Sequence, residues 1–355
     1  MRRLLSLVLL FAFAAGAAGG LVYLQHHPAV PAPSASAAAP SSGTSGTTAP
    51  PSTADDNGSS DDNSSDDAPA QPPWPSEAGT PEQVLYAQAH LMQSAIDQLL
   101  PRTPGHPNLY LIAFAGDGDQ NVFRNEAEFV ERQFTQRFDS AGHVITLINN
   151  PGTLTSTPIA SLSNLQAAVD AVAARMDQEQ DILFLFMTTH GSREHELLVS
   201  LDPLPLDQIG PEDISGLFAD SHIKHRVIVI SACYSGGFID ALRNDATLLV
   251  TAARADRASF GCGTDSDITD FGRAFFVDGM NHNDTFDAAY KEAAGLIDGW
   301  ETRNDEEHSY PQFISTPKIA AQLKAWRAGI RLGPPLPFKS VAPRPDSVEQ
   351  LTASR

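Results

Sequence analysis

The chain has 355 residues, 42% of them hydrophobic, and a formal net charge of −20 from 43 acidic and 23 basic side chains. That is enough apolar material for a folded core, and the negative charge opposes phosphate backbones and anionic lipid surfaces, so no nucleic-acid partner is expected. Two cysteines cannot form a disulfide framework and, without a histidine cluster, cannot build a structural zinc site; no metal and no cofactor are expected.

The N-terminus reads MRRLLSLVLLFAFAAGAAGGLVYL, with Arg2 and Arg3 ahead of an uncharged run from Leu4 to Leu24. At the rise of a helix this run covers roughly 30 Å, the thickness of a bilayer core. The small residues of AFAAGAAGG suit signal cleavage equally well. Both readings of residues 1–27, a signal peptide or a membrane anchor through residues 4–24, predict export to the periplasm or cell envelope, with the two arginines left on the cytoplasmic side. Residues 28–75 are rich in Ala, Pro, Ser, Thr, Gly and Asp and include DDNGSSDDNSSDD. Such a stretch buries too little to offset its ordering entropy and reads as a self-repelling tether. The folded domain is expected over residues 76–337, followed by a polar tail at 338–355.

Within that domain, short apolar runs alternate with amphipathic segments. NLYLIAFAG (108–116), HVITLIN (143–149), DILFLFMTTHG (181–191), HRVIVISAC (225–233) and TLLVTAA (247–253) read as buried parallel strands. Between them, Phe129, Phe134 and Phe138 fall near helical spacing, as do Leu162, Leu165, Val169 and Val172. The alternation predicts an α/β/α sandwich around a mainly parallel sheet.

In open parallel sheets, ligands gather at the carboxyl ends of the strands. His190 closes the third run in TTHG, and Cys233 closes the fourth in SACYSGG. If those strands are neighbours, about 4.8 Å apart, the two side chains can serve one substrate atom. A thiol needs deprotonation to attack, and YSGGFIDALR after Cys233 looks like the start of a helix whose free amides would favour the thiolate. The backbone N–H groups of Gly191 and Cys233 are candidates for an oxyanion hole. A buried, inert cysteine is the competing reading of Cys233.

TTHG followed by SACYSGG, together with FAGDGDQNVFRNEAEFV and TAARADRASFGCGTDSDITDFGRAFF, resembles the legumain-like cysteine peptidases, peptidase family C13, of the caspase-like fold group. The resemblance implies a cysteine endopeptidase hydrolysing peptide bonds of a protein or peptide substrate. In that scheme Cys233 attacks the carbonyl, His190 passes a proton to the leaving amine, and the Gly191 and Cys233 amides hold the oxyanion. It further implies that Arg124 and Asp265 contact the side chain before the scissile bond, in a family that prefers Asn there. The family's third pocket carboxylate falls on Ser231, a departure that opens the preference to Asn, Asp or another residue. A transamidase using the same dyad and a non-catalytic envelope domain binding peptide or protein are the alternatives.

Other residues have rival readings. Asp117, Asp119, Asn121, Asn125 and Glu128 fit an EF-hand spacing, but Val122 stands where the loop needs Gly, and a substrate-pocket loop explains the same residues without an ion. Cys262, in SFGCGTD, is either buried and inert or the partner of Cys233 in a reversible disulfide. His195 reads as a surface residue on the hairpin REHELLVSLD, and Arg254, Asp256 and Arg257 as a solvated loop. Asn57 and Asn63 in the tether and Asn281 and Asn283 in GMNHND are candidate self-processing sites.

Overall fold

The alternation of apolar runs with amphipathic segments builds a three-layer structure. A computed structural model describes residues 74–263 and 265–341; the expected N-terminal segment and all but the last two residues of the expected tether, with Asn57 and Asn63, lie outside them, as does most of the expected tail. In chain order the main elements are α1 (Pro81–Asp97), β1 (Leu109–Ala115), α2 (Asn121–Gln136), β2 (Val144–Ile148), α3 (Leu162–Arg175), β3 (Ile182–Thr188), α4 (Pro211–Leu217), β4 (His225–Ser231), α5 (Ile239–Leu242) and β5 (Thr247–Thr251). There follow α6 (Asp270–Gly272), a π-helical stretch Arg273–Gly279, α7 (Met280–His282), α8 (Phe286–Asn304), β6 (Gln312–Ile314) and α9 (Pro317–Gly329). Among the described residues, no helix is long and apolar enough to cross a membrane.

The six strands form one sheet in the order β2-β1-β3-β4-β5-β6, parallel except for the antiparallel β5–β6 pair. All five expected strands are present. The sixth was not anticipated because it is only QFI at the sheet edge, too short to show a period. β1 and β3 are buried along their whole length, which is why they read as continuous apolar runs. Successive β1 residues feed opposite cores. Leu111, Ala113 and Ala115 pack with Phe129, Phe134, Phe275, Phe286 and Trp326 under α2, α8 and α9. Tyr110, Ile112 and Phe114 pack with Leu165, Val169, Ile214 and Leu242 under α3, α4 and α5. This is the expected α/β/α sandwich of caspase-like type.

At the amino ends of β1 and β3, the fully buried Asp181 carboxylate accepts from the backbone N–H groups of Asn108 (2.7 Å) and Asp177 (2.8 Å) and from Arg102 Nε (3.0 Å). Asp181→Ala leaves these buried donors unmatched, so the full chain should lose about 3–5 kcal/mol of stability, read as a lower urea midpoint; an unchanged midpoint would contradict this assignment.

The packed chain runs past residue 337. Gly333 N–H donates to Arg137 O while Gly333 O accepts from the Arg137 guanidinium, Phe338 stacks edge-on against Phe129, and Lys339 O accepts from Arg132. Ser340 Oγ and the Val341 N–H then bond the side-chain amide of Asn125 in the first turn of α2. The segment lies like a strap along the outer face of α2. Asn281 is correspondingly not in an open polar loop. It lies in α7 with its amide donating to Val277 O and Leu336 O, so it offers no cleavage site.

Candidate active site

β3 and β4 are direct neighbours, and Thr188 is register-paired with Ser231, the last residue of each strand. His190 and Cys233 therefore leave adjacent strand ends at the same height, each two residues beyond the pair. The loops beyond them touch: Thr189 N–H donates to Ser231 O. Gly191 lies so close to Cys233 that a Cβ there would stand 2.1 Å from the Cys233 carbonyl oxygen, which only a glycine permits. Among the described residues, neither the Gly191 nor the Cys233 N–H donates to a backbone carbonyl.

The second half of SACYSGG is shaped by close approach rather than by a long helix. Tyr234 takes a left-handed conformation, φ 55°, and is followed by a 3-10 turn (Ser235–Phe238) and the four-residue α5. The expected helix with its free amides is thus only these short turns. A Cβ at Gly237 would meet the His195 ring at 2.2 Å. His195 is half-buried, not a free surface residue, and its Nε2 lies 3.0 Å from Ala255 O. It holds the loop after His190 against the loop after β5.

The surroundings of Cys233 come instead from residues 259–262. Its Sγ accepts from Ser259 N–H at 3.2 Å and lies 3.4 Å from Ser259 O. Cys262 shares a cavity of only about 10 Å³ with Cys233, Ser231, Thr189 and Thr269. A hydrogen bond from the Cys262 thiol, opposed by burial and aided by Ser259 N–H, brings the Cys233 thiol down to about 6. The Cys262 thiol is pushed up, first by its bond to Cys233 and then by burial. Both cysteines are free thiols.

Among the described residues, no hydrogen bond joins His190 to Cys233. His190 instead packs edge-on against Phe123, centroids 5.0 Å apart, and its Nε2 lies 3.7 Å from Asp117 Oδ2. Burial lowers its pKa, which favours neutral imidazole at neutral pH. Asp117 is almost fully buried, and burial raises its carboxyl to about 6 despite a backbone hydrogen bond from Asp119. Its Oδ2 is placed to receive an imidazolium.

The three expected pocket residues lie on three different segments of the chain. Arg124 is on α2 rather than in a loop, with Nε on Glu128 (2.8 Å) and Nη1 on Asn150 Oδ1 (3.1 Å) beyond β2. Helix from Asn121 through Glu128 also corrects the loop reading and leaves no twelve-residue calcium loop. Asp265 lies in the segment after Cys262; two residues later, Asp267 O accepts from the Asn125 side chain. Ser231 is buried, its hydroxyl 3.1 Å from that of Thr269. Arg254 pairs with Asp256 in an exposed loop, as expected.

Three contributors were not singled out in the sequence. Asp117 entered only as an EF-hand position, although it follows the first strand as His190 follows the third. Ser259 acts through its backbone N–H, which leaves no mark in a sequence. Glu126 is fully buried beneath the site, with Thr188 Oγ1 donating to Oε2 at 3.2 Å and, among the described residues, no hydrogen-bond partner on Oε1. Burial raises its carboxyl to about 7, although the Thr269, Ser231 and Thr188 hydroxyls oppose the rise. Its signal was legible: an acid on the apolar face of α2, three residues from Phe123 and Phe129. A cavity of about 750 Å³, lined by Leu248, Phe286, Phe313 and Trp326 beside α8 and α9, includes none of these groups.

No curated protein matches the chain. A family model described as the Peptidase C13 family matches residues 159–316, a span that holds β3 to β6 with His190, Cys233 and Cys262 and begins after α2. Over that span, with its caspase-like sheet and the residues that close the third and fourth strands, the chain is similar to the peptidase C13 family of cysteine-type peptidases.

Proposed function

We propose that this domain is a cysteine endopeptidase in which the Cys233 thiolate attacks the substrate carbonyl, His190 takes up a proton from solvent against Asp117 and passes it to the leaving amine, and the Gly191 and Cys233 amides hold the oxyanion. The observation that carries this reading is the placement of Cys233 and His190 two residues beyond a register-paired strand end, with Gly191 against the Cys233 carbonyl. The gap between thiol and imidazole is where the scissile bond would lie. The Asp117 carboxylate stabilises the imidazolium while the proton is in transit.

The cavity at the thiol, about 10 Å³, has room for at most about one water molecule. Residues 259–262 therefore act as a cover that a substrate displaces. Arg124, Ser231 and Asp265 are the residues proposed to read the side chain before the scissile bond, with Asn or Asp as the first candidates. Arg124 would leave Glu128 or carry it along. Export follows from residues 1–27, as an anchor or a cleaved signal.

The test is turnover, by the reduced full chain, of peptides that vary only at that residue, with and without an added amine. Hydrolysis of the Asn or Asp peptide is expected, with kcat/KM falling below about pH 6 as the Cys233 thiolate takes up a proton. A product carrying the amine in preference to water would turn the reading to transamidation. No turnover from acid to neutral pH would favour a binding domain.

A further inference from the structure

The groove over the nucleophile is closed from one side by a short segment that contributes both a backbone clasp and a second thiol. Ser259 holds Cys233 Sγ with its N–H, and Cys262, three residues on, faces the same cavity of about 10 Å³. The segment is itself anchored: Phe260 O accepts from Asp270 N–H, the first residue of α6. Gly261, φ 74°, has no room for a Cβ beside Asp270. Cys262 is half-buried, packed against the core under α2 as well as lining the cavity it shares with Cys233.

We propose that Cys262 is the resolving thiol of Cys233, and that the pair closes to an intramolecular disulfide by exchange with low-molecular-weight disulfides, which removes the nucleophile reversibly. In the first step the Cys233 thiolate attacks one sulfur of RSSR; the S–S bond breaks and RS⁻ leaves. In the second, Cys262 gives up its proton and attacks Cys233 Sγ in the mixed disulfide, expelling the second RS⁻. Two protein thiols lose two electrons and two protons, and RSSR becomes two RSH. A dithiol reverses both steps. Cys233 is the sulfur that starts the exchange, because it carries the thiolate. The sequence is productive because the resolving thiol already shares the cavity, so closure precedes loss of the adduct or further oxidation of the nucleophile. The switch bears on the nucleophile of the peptidase reading, but the bond itself does not depend on that reading.

The experiment equilibrates the folded full chain with mixtures of reduced and oxidised glutathione and reads intact mass, followed by non-reducing peptide mapping. The expected product is a chain lighter by two hydrogen atoms with Cys233 linked to Cys262, restored by dithiothreitol. Cys262→Ser should instead accumulate one glutathione on Cys233. A wild-type chain that accumulates glutathione adducts, or keeps both thiols free at the most oxidising ratio, overturns the proposal. Peptide turnover is followed in parallel and should fall at least about 100-fold as the disulfide fills and recover on reduction. If no peptide is cleaved under any condition, the peptidase reading fails while the mass still decides the disulfide.

Discussion

Cys233→Ala should lower kcat/KM for the best peptide of the panel by at least about 10⁴-fold, to the level of the uncatalysed background. The whole covalent route passes through that sulfur. The described bonds of Sγ are those to Ser259 and the Cys262 thiol, so a methyl group in its place costs the fold little. Circular dichroism should be unchanged. Cys233→Ser should be nearly as inactive, because the same surroundings that bring a thiol to about 6 leave a hydroxyl protonated. A Cys233→Ala chain within tenfold of wild type would eliminate the thiol mechanism.

His190→Gln should cost about 10²- to 10⁴-fold in kcat/KM, with a distinctive accompaniment. The thiolate is supported by the Cys262 thiol and Ser259 N–H, and His190 makes no hydrogen bond to it among the described residues. Alkylation of Cys233 by iodoacetamide in the variant should therefore proceed within about threefold of the wild-type rate, across a pH range that brackets 6. Loss of turnover with retained alkylation assigns His190 to proton transfer at the leaving group. A parallel fall in both would mean that the imidazole generates the thiolate, contrary to the geometry.

Much of the scaffold was legible because buried parallel strands need apolar residues on both faces, and the runs at 109–115 and 182–188 have nothing else. The ends of β3 and β4 were legible for the same reason: a His-Gly and a Cys directly after such runs have only one edge of the sheet to occupy. What remained hidden depends on backbone and on distance along the chain. The support of the thiolate comes from an amide at Ser259 and a thiol at Cys262, not from the turn that follows Cys233. DGDQNVFRNEAE has the glycine and acidic residues of a loop, yet from Asn121 onward it is the first turns of α2, because Val122, Phe123, Phe129 and Val130 bury one face of that helix. That helix delivers Glu126 to the hydroxyls below the site and carries Arg124 to Glu128 and Asn150.

The strap of residues 333–341 has an unexpected address. It is fastened to Arg137 near the end of α2, passes Arg132, and is fastened again at Asn125, whose amide also holds Asp267 O. The last described residues thus arrive beside the segment that links the cover over Cys233 to α6. A protein trimmed after Pro337 would lose two of the bonds that steady this rim. A fusion partner joined directly after Val341 would be tethered on the working edge of the sheet, so the choice of that junction is also a choice about access to the thiol.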